Sequence, residues 1–306
     1  MTIDQNYVKF FGLPVVDFEK PEDWKGPSKA YRVRVDWDTS TEEMGKRYEL
    51  LGSQADSDKL TAIIVGAWMG DDSSNDSSTV IQHLVALAPK LPALKAIFVG
   101  DITYEENEMS WIEQSDLAPL LAAYPGLELL QARGGNSLSI SQTTHENLKS
   151  LIIETGGMPR SVLRDISRCS FPNLEHLELW LGTGEYGWDG GVEDLQPILT
   201  GKLFPKLSYL GLRNSDAIDE IAPVLPNAPL ISQLQVLDLS LGSLSDVGAR
   251  PLLALASAGN LKKLDLSHHY IAPEVVEELQ AALPFEVVAN DPQEADDEWR
   301  NIYVSE

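Results

Sequence analysis

An α/β solenoid, a curved horseshoe with a parallel sheet on its concave face and helices on its convex face, is predicted by three features of this 306-residue sequence. The first is a leucine spacing, LxxLxL, recurring as Leu174, Leu177, Leu179, as Leu207, Leu210, Leu212, as Leu234, Leu237, Leu239, and as Leu261, Leu264, Leu266. The second is a looser form of the same pattern, with any aliphatic residue or alanine allowed. It adds Leu148, Leu151, Ile153, then Leu127, Leu130, Ala132, then Leu94, Ile97, Val99, and finally Leu60, Ile63, Val65. The third is helical periodicity after the strands: Leu252, Leu253 and Leu255 share one side of 249–256, and Val275, Val276, Leu279 and Leu283 share one side of 274–283.

Together these features define a leucine-rich repeat. Successive copies begin 34, 33, 21, 26, 33, 27 and 27 residues apart, and the shorter spacings fall in the range of about 20 to 29 usual for such repeats. One strand-and-helix unit leaves its apolar face half covered, and stacked neighbours complete the core, which is why the leucines recur at fixed offsets. Three regions are expected: a cap at 1–58 with an opening strand and a helix, a solenoid of about eight repeats at 59–284, and a last strand with an acidic tail at 285–306. The opening strand is read at Tyr31 to Trp37, with Val33 and Val35 inward, and the last at Phe285 to Ala289. The tail beyond is expected to be loosely ordered. At the ninth repeat position, where asparagine is usual, stand Gly182, Ser215, Gly242 and His269. That substitution leaves open how the strand-to-helix turn satisfies its backbone groups.

Charge narrows the partners. The net charge of −24, from 47 acidic against 23 basic residues, repels nucleic acids and anionic membranes and attracts basic proteins. The single cysteine, Cys169, forms no internal disulfide, and 1–14 lacks a basic segment followed by a long apolar run. A cytoplasmic, soluble protein is expected.

Chemical signatures are sparse. Cys169 precedes a strand with no base in view, so a small apolar role is expected of it. His268 and His269, near Asp265, are strand neighbours that point to opposite faces and do not chelate one metal together. The run Asp71 to Asp76 lacks the ordered spacing and terminal glutamate of an EF-hand, and the glycines at 134–135 and 187–191 form no phosphate-binding motif. Glu154 and Glu178 are a conceivable acid and base pair, but on an open, wet sheet their pKa values stay ordinary. No catalytic residue, metal or cofactor is assigned.

Strand alternation assigns the third, fifth and seventh repeat positions to the concave face. There Arg133, Glu154, His176, Glu178, Trp180, Tyr209 and Arg213 form a mixed-charge patch with aromatic and arginine side chains of the kind that dominate binding hot spots. The three longest repeats carry extra residues after their strands, at 66–79, 100–116 and 181–194, and these loops are expected along one edge. Trp68, Tyr104, Trp111, Tyr186 and Trp188 lie in them among Asp71, Asp72, Asp101, Glu105, Glu106, Glu108, Glu185 and Asp189. Such loops suit a basic, partly apolar partner, or fold back over their own bases.

The segment from Leu244 to Leu252 resembles the longer, helix-bearing repeat of ribonuclease inhibitor. More widely, Phe10 to Phe18 (FxGLPVVDF), Val99 to Asp116, Leu174 to Thr183, Tyr209 to Ser215 and Leu237 to Ala249 resemble an uncharacterised family of bacterial cytoplasmic leucine-rich-repeat proteins, over nearly the whole chain. That resemblance implies a repeat-only protein and supplies no catalytic residue. The expected function is a non-catalytic protein-binding scaffold or adaptor using the concave sheet and edge loops. The alternatives are an acidic inhibitor or immunity protein that blocks a basic enzyme, and an enzyme acting on a small molecule at the edge loops.

Overall fold

The computed structural model describes residues 3–40, 42–70, 72, 74–296 and 299–306. Asp71 and Ser73, members of the acidic run noted above, lie outside the described residues. Twelve strands among the described residues form one sheet in strict chain order. They are β1 (Lys9–Phe10), β2 (Leu13–Asp17), β3 (Ala30–Val33), β4 (Ala62–Val65), β5 (Ala96–Val99), β6 (Leu129–Arg133), β7 (Ser150–Glu154), β8 (His176–Gly182), β9 (Tyr209–Ser215), β10 (Val236–Asp238), β11 (Lys263–Asp265) and β12 (Glu286–Val288). Only β1 and β2 pair antiparallel; every later neighbour is parallel.

The register follows the repeat. Ile63, Ile97, Leu130, Leu151, Leu177, Leu210, Leu237 and Leu264 pair across successive strands as a single row, and all are buried in the main core. The other side of that core is built by α1 (Glu42–Leu51), α2 (Ser78–Leu87), α3 (Ala118–Ala123), α4 (Arg160–Arg168), α5 (Val192–Leu199), α6 (Ile218–Ile221), α7 (Asp246–Ala249) and α8 (Pro273–Ala282). The chain is thus a leucine-rich-repeat solenoid with its strands on one face and helices on the other. Among the described residues, no helix is long and apolar enough to cross a membrane.

Three segments differ from the sequence expectation, each for a local reason. The helix expected over 249–256 is instead the short α7 followed by a 3-10 run at Arg250–Ser257, because Pro251 has no N–H to extend α7. The strand expected over Tyr31–Trp37 stops at Val33, and the β1–β2 hairpin stands ahead of it at the sheet edge. Finally, 299–306 is not loose: Ile302 and Val304 are buried, and the segment packs against the ends of later strands.

Two of the missing asparagines, at His269 and Ser215, are replaced by other side-chain acceptors. His269 sits buried with Nδ1 accepting the Ile271 N–H at 3.0 Å and Nε2 facing the Ala289 carbonyl at 3.4 Å. Burial lowers its pKa, which keeps the ring in the neutral form that can accept at one nitrogen and donate at the other. At Ser215 the hydroxyl accepts the Ala217 N–H at 3.2 Å, while the Ser215 carbonyl takes the Ser243 N–H at 3.0 Å. At Gly182 the backbone is left-handed, and a Cβ would stand 1.9 Å from the Gly156 carbonyl, so only glycine fits.

Replacing the His269 ring by leucine orphans the Ile271 N–H and is expected to cost about 1 to 3 kcal/mol. His269→Asn, which restores an acceptor, is expected to retain more of the stability. Urea titration of both variants provides the check, and equal losses would contradict the acceptor role.

Candidate functional site

The concave face divides into two halves of different character. Over the early repeats it is apolar: Ala62, Ile64, Ala96 and Phe98 point outward from β4 and β5, and residues 7–15 cover them with Tyr7, Phe10, Leu13 and Val15. Tyr7 packs edge-on against Phe98 at a centroid distance of 5.2 Å. A buried ionic network anchors this cover. Asp101 accepts the Tyr7 N–H at 3.1 Å and Arg32 Nη1 at 2.8 Å, while Arg32 also grips Asp17 through two hydrogen bonds of 2.7 and 3.0 Å.

Arg133 and Glu154 belong to that interior network. Arg133 Nε donates to Glu154 Oε2 at 2.7 Å, its Nη1 donates to the Ile102 carbonyl at 2.9 Å, and Gln131 donates to Glu154 Oε1 at 2.6 Å. Tyr7 closes over the group, its hydroxyl 3.5 Å from Glu154 Oε1, and burial together with the Glu154 charge pushes that hydroxyl up to about 12. The sequence suggests a contact surface at Arg133 and Glu154; the structure corrects this, since both are buried. Alternation places them on the concave face, but the covering chain comes from more than a hundred residues away and leaves no pattern near them.

Over β8 to β11 the face is polar, and the remaining predicted residues do meet. Glu178 is the hub. Its Oε1 accepts Trp180 Nε1 at 2.8 Å and Arg213 Nη1 at 2.6 Å, while the Tyr209 hydroxyl lies 3.2 Å and His176 Nε2 3.5 Å from its Oε2. The rings of His176 and Tyr209 stack 3.8 Å apart, and Arg213 lies over Trp180 at 5.4 Å. Asp238 joins through the Tyr209 hydroxyl at 2.7 Å, and Ser240 through Arg213 Nε at 2.9 Å. His176, Tyr209 and Arg213 are half-buried, whereas Trp180 and Glu178 lie beneath them.

Burial alone would raise the Glu178 pKa, but His176, the Arg213 charge and the Trp180 hydrogen bond outweigh it and hold the group at about 2. A carboxylate so strongly held as an anion is a poor proton carrier at neutral pH. Burial likewise pushes the Cys169 thiol up, away from the reactive thiolate. Among the described residues, no three His, Cys, Asp or Glu side chains are placed to hold a metal ion.

The three long loops all follow the C-terminal ends of parallel strands and line one sheet edge, yet their aromatics have different fates. Trp68 and Trp188 fold back into the main core, so the contact role suggested for Trp188 is corrected to packing. Tyr186 is half-buried, its hydroxyl bonded to Glu306. Tyr104 and Trp111 remain 44% and 64% exposed. Trp37, 83% exposed, was missed, because its parity with Val33 and Val35 reads as inward when the strand is taken to continue past Val33. It borders a cleft of about 330 Å³ shared with Asp36, Met69, Glu105 and Asn107.

The Glu178 network makes stability depend on pH. A carboxyl with an ordinary value of 4.5 held at about 2 when folded contributes about 3 kcal/mol above the ordinary value, and this is lost as pH falls through the folded one. Glu178→Gln is therefore expected to be less stable than wild type by about that amount at neutral pH. The gap narrows from pH 4.5 down to 2, as urea titrations at stepped pH would show. A gap independent of pH would contradict the network.

No family model matches the chain. No curated protein matches it in sequence. Among solved structures, an internalin from Listeria monocytogenes overlaps at a TM-score of 0.37 with 14% identity, over 87% of this chain and 69% of that one. A protein from Bacteroides fragilis, known from its crystal structure, superposes with a TM-score of 0.80 at 32% identity, over 92% of this chain and 79% of that one. The identity and the near-complete overlap show that this chain belongs to one family with the Bacteroides fragilis protein.

Proposed function

We propose that this protein is a non-catalytic scaffold that grips a basic protein partner along the C-terminal edge of its sheet. The observation that carries the reading is the state of Tyr104 and Trp111. Both stand exposed on a loop that is itself held firmly by buried Asp101, Met109, Ile112 and Gln114. Aromatic side chains presented on a fixed backbone lose little freedom on binding and make efficient anchors. Trp37 faces the adjoining cleft, and the polar half of the concave face, with His176, Tyr209 and Arg213, forms the flank.

Charge selects the partner. Glu105 is exposed and Glu108 half-buried beside the two anchors, and neither has an ion-pair partner among the described residues. With the net charge of −24, this edge attracts a basic surface and speeds its docking at low salt. The same charge favours a second reading, a stoichiometric inhibitor or immunity protein for a basic enzyme, which a titration of the partner's own activity to an equimolar endpoint would identify. The lone, buried Cys169 suits work in the reducing cytoplasm.

Tyr104→Ala with Trp111→Ala is the direct test, applied to the partner recovered by crosslinking from native cells. Because both side chains are exposed, the melting temperature is expected to stay within about 2 °C, while affinity for the purified partner falls by at least about 30-fold. Unchanged affinity would remove the edge from the binding surface.

A further inference from the structure

Residues 299–306 lie in a groove built at the ends of β8 to β11, and they are held there as a peptide ligand is held. Arg300 Nη1 donates to Asp219 at 2.7 Å and to the Ser243 carbonyl at 3.1 Å. The Tyr270 hydroxyl serves both backbone groups of Asn301, donating to its carbonyl at 2.9 Å and accepting its N–H at 2.8 Å. Tyr303 donates its N–H to the Leu241 carbonyl at 2.8 Å and sets its ring edge-on to His268. The Asn214 side chain spans Val304, accepting its N–H at 2.9 Å and donating to its carbonyl at 2.5 Å. Val304 itself is fully buried with Trp180 and Met109, in a small cluster separate from the main core. The Ser305 carbonyl crosses Gly156 so closely that a Cβ there would lie 2.1 Å away.

The groove has a repeating floor. Asn214, Leu241 and His268 occupy the same eighth position of three successive repeats, and all three are left-handed, with φ of 51, 68 and 61°. That conformation is disfavoured for leucine and histidine, and at each of the three positions the residue contacts 299–306. In the chain leading in, Asp291, Pro292 and Glu294 to Asp296 are exposed, while the Gln293 N–H still donates to the His269 carbonyl at 2.7 Å.

We propose that residues 299–306 are an intramolecular occupant of a peptide-binding groove, and that the same groove receives an extended segment of a protein partner. The partner segment shares the chemistry seen here: an arginine followed two and four residues later by β-branched apolar side chains, as in Arg300, Ile302 and Val304. This rests on the scaffold reading above and adds a distinct contact beside Met109, which belongs to the same edge loop as Trp111. Two features make the groove general for extended chains. The Asn214 amide and the Tyr270 hydroxyl bind backbone, which any sequence supplies, while Asp219 and the Trp180–Met109 pocket read side chains. Partner and tail compete, so the tail lowers the partner's apparent affinity by the fraction of molecules in which the groove is vacated.

The probe is the labelled octapeptide Trp-Arg-Asn-Ile-Tyr-Val-Ser-Glu, read by fluorescence anisotropy against the full-length protein. Val304→Asp ejects the tail by placing a charge in the apolar pocket; this variant is expected to bind the peptide at least tenfold more tightly than wild type. The same peptide with aspartate in place of its valine is expected not to bind. A variant with wild-type circular dichroism that binds no better than wild type, or that binds both peptides alike, overturns the proposal. Hydrogen exchange on the unaltered protein tests it independently of any variant. The Tyr303 and Val304 amides are expected to exchange at least tenfold faster than those of β8 and β9, and exchange only through global unfolding would show a permanent structural element. Loss of peptide binding with the Trp111→Ala effect intact removes the groove and leaves the scaffold; the converse result removes the edge and leaves the groove.

Discussion

In-register stacking of the leucine row governs the rest of the molecule. Because side chains alternate with a period of two, a slip of one residue would turn Leu177 out to solvent and Glu178 into the helices' side. The register that buries the leucines also decides what stands opposite what on the other face. It pairs Arg133 with Glu154, and Trp180 with Arg213, across neighbouring strands. It sets Glu178 opposite Gly211, whose missing side chain leaves room for Tyr209 and Arg213 to lean toward the carboxylate. The polar networks are therefore consequences of the core.

Covering the sheet is handled differently along its length. The apolar outward side chains of β4 and β5 would expose a greasy strip, and residues 7–15 close it. Doing so takes Asp101, Arg133 and Glu154 out of water, and removing ions from water is costly unless each is fully partnered. Here every one has a partner of opposite charge within 4.0 Å. Over the later repeats the outward residues are mostly polar, and Trp180 is covered by Val304 and Met109, while His176, Tyr209 and Arg213 stay half-buried.

Much of this was legible in advance. For β4 to β11, strand positions and outward-facing residues follow from LxxLxL, since the pattern names both faces of a strand at once, whereas the β1–β2 hairpin carries no copy of it. What covers a face is another matter: Tyr7 meets Glu154 across 147 residues, and no local periodicity records such a contact. Trp111 and Trp188 sit in loops of similar composition, and only packing separates the exposed one from the buried one. The missing asparagine had a readable substitute, because histidine also pairs an acceptor with a donor, as His269 does here. The tail carried a signal as well, in the alternation of Ile302 and Val304 after an acidic stretch, but its charge pointed to solvation.

The contact between Tyr7 and Glu154 also sets an order of events during synthesis. A solenoid of stacked repeats is held mostly by neighbours, so it can assemble from one end as the chain lengthens. Tyr7 breaks that rule, because its partner is made 147 residues later, roughly 7 to 30 s at ordinary elongation rates. The apolar strip on β4 and β5 is covered earlier, because Asp101 and Arg32 already hold the Tyr7 backbone over it. Arrival of β7 then adds the last contact of that cover, between the Tyr7 hydroxyl and Glu154. In the finished protein Tyr7 links the early segment to β6 and β7, a long-range contact that a simple stack of neighbours lacks.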